Sequence, residues 1–119
     1  MIPTTLVIGG TATQRDAAIH AQLDPTLHTA IILEGLPDGR DIFQITQHPH
    51  LQLHRIAPGC MCCTGNLVMR VTLNRLLRSK PDRLFISVAS DMHLPQLREA
   101  LTAAPYDQWL TLTNDMSLP

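Results

Sequence analysis

Aromatic side chains are nearly missing: one Trp, one Tyr and two Phe serve all 119 residues. Single-stranded nucleic acid is held on stacked aromatic platforms, so that class of ligand has no surface here. The core must instead be built from Leu, Ile, Val, Ala and Met. An excess of charge is also missing, with nine Lys and Arg against ten Asp and Glu and a formal net charge of -1. A broad phosphate-binding face needs clustered surplus cations, so nucleic acid is not an expected partner. Nor is there an apolar run of the roughly 18 residues that would cross a bilayer. The first residues lack the basic and apolar regions of a signal peptide, so the chain reads as cytoplasmic with no membrane partner. Cysteine is scarce too. Three residues, all between positions 60 and 63, cannot supply a disulfide framework, and free thiols fit a reducing compartment. What the chain does have is 45% apolar and 16% charged residues, the composition of a compact fold large enough to bury one core without staples.

The apolar residues alternate between strand-like runs and helical spacing. Thr5 to Gly10 reads as a strand ending in Gly-Gly, and Arg15 to Leu23 as a helix marked by Ala18, Ile19 and Leu23. His28 to Leu33 is a second strand, followed by turn chemistry at Leu36-Pro37-Asp38-Gly39. A short helical piece near Asp41 to Thr46 precedes a third strand at Leu51 to Ala57. Thr64 is placed to cap a helix from Gly65 to Ser79, with Met69, Leu73, Leu76 and Leu77 on one face and Arg70, Asn74, Arg75 and Arg78 on the other. Arg83 to Ala89 is a fourth strand, Pro95 opens a helix to about Ala104, and Trp109 to Thr113 closes the series. Strands separated by helices predict one α/β domain: a three-layer, mostly parallel sheet with helices on both faces and ligand sites at the carboxyl ends of its strands. The last strand leaves an edge that a second copy of the chain would cover, which makes a homodimer one expectation.

The cysteines lie in Gly59-Cys60-Met61-Cys62-Cys63-Thr64-Gly65, just past the third strand. Adjacent Cα atoms are about 3.8 Å apart, below the roughly 4.4–6.8 Å of an unstrained disulfide, so Cys62 and Cys63 pair only with strain. Three thiolates converging in a glycine-flanked loop suit a thiophilic cation such as Zn(II) or Cu(I). Two other readings stand beside this one: small apolar residues clustered in a core, and a redox pair of attacking and resolving thiols. Tetrahedral zinc would still need a fourth ligand, for which water, His54, His93, Glu34 and a thiolate from a second chain are candidates. His48 and His50 flank Pro49 and read as turn residues.

The segment from Gly59 to Leu67 resembles the GCxCC motif of the CobW-type GTPases (CobW/HypB/UreG-like), a metallochaperone family of the SIMIBI P-loop class. Leu6-Val7-Ile8-Gly9-Gly10 stands where that family's first strand enters its Walker A loop. Ile31-Ile32-Leu33-Glu34-Gly35 resembles the strand before its Asn-Glu-Phe-Gly-Glu segment, and residues 81–86 resemble the strand before its Walker B region. The resemblance implies a P-loop NTPase-like domain over residues 1–119, truncated to the G domain and without the C-terminal CobW domain. It also implies zinc or a similar cation at Cys60, Cys62 and Cys63, a client metalloprotein as partner, and a phosphate loop at Gly9, Gly10 and Arg15. That loop is degenerate. An ungapped reading puts Ala12 and Gln14 at its later glycines, Arg15 at its Lys and Asp16 at its magnesium-binding Ser/Thr. Ser87-Val88-Ala89-Ser90 and then Asp91 to Pro95 replace the second acidic motif, and Asn114-Asp115 is not the guanine-recognition motif. Without these parts GTP hydrolysis, and GTP with magnesium as a cofactor, are not expected. The expectation is a metal-binding protein for buffering, delivery or sensing, with a residual GTP-binding protein or the partner subunit of one as the alternative.

Overall fold

A computed structural model describes residues 1–38, 42–45, 50–57, 67–92 and 94–119. The apolar runs form strands β1 (Ile2–Gly9), β2 (Thr29–Glu34), β3 (Leu51–Ile56), β4 (Arg83–Ser87), β5 (Leu110–Leu112) and β6 (Met116–Leu118). Between them lie helices α1 (Ala12–Ala21), α2 (Ile42–Ile45), α3 (Leu67–Leu77) and α4 (Leu94–Thr102), and a 3-10 turn at Tyr106–Gln108. The strand order is β3-β2-β4-β1-β5, and every pairing among the described residues is parallel. The expected α/β architecture is therefore present.

Register explains why the sheet has two cores. Leu6 of β1 stands beside Ile86 of β4, and Ile32 of β2 stands beside the same Ile86, so these side chains share one face. They pack with Met69, Leu73 and Leu76 of α3 and Leu97 and Leu101 of α4. Their odd-numbered neighbours Val7, Ile31, Leu33 and Phe85 point the other way, onto Ile19 of α1 and Phe43 of α2. Each fully buried aliphatic side chain of this kind is worth about 1.5–3 kcal/mol. A sheet covered on both sides also explains why β2 reads as an unbroken apolar run, since all six of its residues are buried.

Several boundaries differ from the expectation by a residue or more, and three of them have a local reason. α1 begins at Ala12, ahead of Arg15, because Thr11 and Gln14 form a capping box: the Thr11 hydroxyl accepts from the Gln14 N–H at 3.1 Å and Gln14 Oε1 accepts from the Thr11 N–H at 2.8 Å. β1 begins at Ile2, ahead of Thr5, because Ile2 and Pro3 stand in register with Leu110 and Thr111 of β5, while Pro3 precedes the first register pair with β4, so its missing N–H leaves that ladder intact. The last strand continues past a break. Thr4 faces Leu112 but Val7 faces Met116, so one extra residue is accommodated near Thr113, whose N–H donates to the Thr4 carbonyl at 2.9 Å. β5 and β6 thus form one bulged edge along β1. The expected cap at Thr64 and the first residues of the helix after it lie outside the described residues.

Tyr106 closes the α3 and α4 core from below. It is 4% exposed, its ring meets Trp109 edge-on at 6.0 Å, and its hydroxyl donates to Asn74 Oδ1 at 2.8 Å. Burial pushes the Tyr106 hydroxyl above its ordinary pKa, partly opposed by the charge of Arg70. The folded state therefore favours the protonated form more than the unfolded chain does. That contribution is complete below the unfolded value of about 10 and is lost as pH rises through the folded value. Tyr106→Phe is expected to cost about 0.5–1.5 kcal/mol at neutral pH. Urea midpoints measured on both proteins should converge as the solution is taken to strongly alkaline pH; a constant gap would contradict this assignment.

Candidate functional site

The chain path fixes where a ligand would enter. From β1 the connection through α1 runs to β2 on one face of the sheet, and from β4 the connection through α4 runs to β5 on the other face. The two connections part between β1 and β4, so the crevice outside the carboxyl ends of these strands is the topological switch point where open parallel sheets take their ligands. β1 ends there at Gly9, with Gly10 next, and β4 ends at Ser87.

Arg15 occupies this crevice with its own side chain. Its Nε donates to Ser87 Oγ at 2.8 Å, and its Nη1 donates to the carbonyls of Gly9 at 3.2 Å and Gly10 at 3.0 Å. Arg15 is 3% exposed, and burial lowers its pKa while the charges of Asp16 and Glu34 oppose that shift. A guanidinium has no acceptor capacity and stays charged, so these oxygens solvate it in place of water. Gly9 and Gly10 both have positive φ, +84° and +61°, which lets the backbone turn tightly from β1 into α1. The space is also closed from the edge strand. A Cβ on Gly9 would lie 2.1 Å from the Leu118 carbonyl oxygen, and one on Gly10 would lie 2.6 Å from Gln14 Oε1.

Asp16 faces away from that crevice. It is buried, and its Oδ2 accepts from Arg55 of β3 at 3.0 Å. Arg55 also donates to the Gly35 carbonyl at 3.3 Å. Glu34, at the end of β2, accepts from the Ala89 N–H at 2.7 Å. Arg15, Asp16, Glu34 and Arg55 thus bring two positive and two negative charges to one end of the sheet. Sequence reasoning missed Arg55. Its signal was present: Leu51, Leu53 and Arg55 alternate on one face of β3, and a cation at the end of an apolar alternation calls for a buried acid opposite.

The proposed metal ligands Cys60, Cys62 and Cys63 lie outside the described residues, as do His48 and His93. The segment that carries the cysteines joins Ala57, just after β3, to Leu67, the first residue of α3. Among the described residues no group of three or more His, Cys, Asp or Glu side chains is placed to hold a metal ion. Of the other candidates for a fourth ligand, Glu34 stands in register with Ile56 at the end from which the cysteine segment departs, and His54 stands in register with Ile32 and is partly buried. His50 is an exposed turn residue whose carbonyl accepts from the Thr29 N–H at 2.9 Å. No helix among the described residues is long and apolar enough to cross a membrane.

Comparison with known proteins gives one curated relative. Over 61 residues, half of this chain, the sequence is 48% identical to the zinc chaperone YeiR of Escherichia coli (strain K12). The chain covers 19% of that protein's length. No family model matches the sequence, and no solved structure matches it.

Proposed function

We propose that this chain is a zinc-binding protein of the CobW type that holds its ion through Cys60, Cys62 and Cys63 and takes part in delivering it to a client metalloprotein. The observation that carries this reading is the run Gly59-Cys60-Met61-Cys62-Cys63-Thr64-Gly65, which puts every thiol of the chain within four positions of one glycine-flanked segment. Likeness to a zinc chaperone supports the same chemistry. Three thiolates satisfy most of a zinc shell and leave one position for an exchangeable ligand, an arrangement suited to transfer. Glu34 and His54 are the described side chains best placed in the chain to serve there, and a thiolate of a second copy would serve equally well.

Nucleotide has no part in this reading. A phosphate at the switch point would need the backbone donors and the positive charge near Gly9 and Gly10, but Thr11 and Gln14 cap each other and Arg15 is committed to Ser87 and to both glycine carbonyls. The protein would then hold and release metal without a GTP-driven switch.

Proton competition provides the test. Thiols of ordinary pKa near 8.5 must lose protons to bind, so zinc affinity should fall by at least about tenfold for each pH unit below neutrality. Equilibrium dialysis against zinc at neutral pH and in mild acid measures this. Binding that does not change with pH would point to carboxylates or other oxygen ligands and would overturn the thiolate assignment.

A further inference from the structure

We propose that the outer face of α3, together with Trp109, is a docking groove for an acidic amphipathic helix of a partner protein. The inference goes beyond metal binding and does not depend on it. α3 buries Met69, Leu73 and Leu76, and its opposite side mixes the exposed cations Arg70 and Arg75, and Arg78 just past its end, with exposed Leu67, Val68 and Val71, where a solvated helix normally presents polar residues alone. Leu67 is 60% exposed and Val71 52% exposed, one turn apart, and Trp109 beside them is 45% exposed. They line an open groove of ≈ 900 Å³. Exposed apolar side chains scattered singly need no explanation, but a contiguous set lining one concavity marks an interaction surface.

Charge selects the occupant. Arg70, Arg78 and Lys80 stand on the groove wall, all exposed, and no carboxylate lines it among the described residues. Residues 67–80 hold four cations and no acidic residue, in a chain whose net charge is -1. Apolar anchors beside a cationic wall match a helix with Leu- or Ile-type residues at i, i+3 or i+4 and i+7 flanked by Asp or Glu. A second copy of this chain does not offer such a helix among its described residues. Asp16, the acid of α1, is buried, α3 has none, and α4 has Glu99 alone. A bilayer would meet a flat or convex basic face, whereas this surface is concave.

The test is selection by the intact protein from a displayed library of short amphipathic helices whose polar positions are randomised among Glu, Lys, Gln and Ser. Enriched peptides are expected to be acidic. Their binding, read by fluorescence anisotropy, should weaken about tenfold or more in Val71→Glu and in Arg78→Glu, and also on raising salt from about 0.05 to about 0.5 M. Both positions are exposed, so thermal midpoints should match the parent; if Val71→Glu does not fold, Arg78→Glu and the salt series still decide. Enrichment of neutral or basic peptides would overturn the proposal, as would equal binding by both variants. So would a parent dimer that Arg78→Glu dissociates, or binding of phosphatidylglycerol vesicles through the same residues without acidic peptide selection.

Discussion

Replacing Arg15 by Met is expected to lower the free energy of unfolding by about 3–5 kcal/mol, the range for removing one partner from a buried charge network. The side chain is 3% exposed and its loss leaves the Gly9 and Gly10 carbonyls and the Ser87 hydroxyl without their donor. It also strips from Glu34 a cation whose charge it feels across the sheet end, while Asp16 keeps Arg55. The volume of Met is close to that of the Arg stem, so the penalty comes from unpaired polar groups more than from a cavity. A second variant identifies the cause. Adding Glu34→Gln to Arg15→Met should restore part of the lost stability, because a buried negative charge that Arg15 opposed is removed while the side-chain amide oxygen still accepts from the Ala89 N–H. Denaturant unfolding of the parent, both single variants and the double variant measures the coupling. Strict additivity would mean that Arg15 and Glu34 do not form one network. An Arg15→Met protein as stable as the parent would mean that the crevice is not held by this guanidinium.

This network bears on function because it lies where a parallel sheet opens to ligands. In an ordinary phosphate loop the donors at the start of the helix are left free and the ligand supplies the negative charge. Here Thr11 and Gln14 use two of those donors on each other, and Ser87 with two glycine carbonyls accepts from the cation. A scaffold in which this end of the sheet satisfies itself can be stable without nucleotide. On the reading proposed above, the metal chemistry lies in the cysteine segment between β3 and α3.

How much of this was legible in the sequence depended on which force built each part. β2 and β4 were legible because a strand covered on both faces must be apolar throughout, and Ile31-Ile32-Leu33 and Leu84-Phe85-Ile86 are. α3 was legible because Met69, Leu73 and Leu76 recur at helical spacing. The start of α1 was not read, because the face it turns inward there carries Arg15 and Asp16, and buried charge does not show in a hydrophobic pattern. The capping box in Thr11-Ala12-Thr13-Gln14 was the signal available. β6 was hidden for another reason: Met116–Leu118 is three residues long and is defined by pairing with Val7–Gly9, a long-range contact that no local pattern encodes. The same limit applies to the site. The positions of Gly9, Gly10 and Arg15 could be aligned with a phosphate loop, but the direction of the Arg15 side chain follows from Ser87, which is distant in sequence.

The central claim is that three sulfurs hold the metal, and metal content measures it most directly. Protein purified without added metal is expected to carry about one equivalent of zinc, and the variant with Cys60, Cys62 and Cys63 all changed to Ser is expected to carry essentially none. Circular dichroism should show both with the same α/β signature, since the described core is built from residues outside the cysteine segment. Equal zinc in the two proteins, or no thiophilic metal in either after reconstitution, would contradict the account.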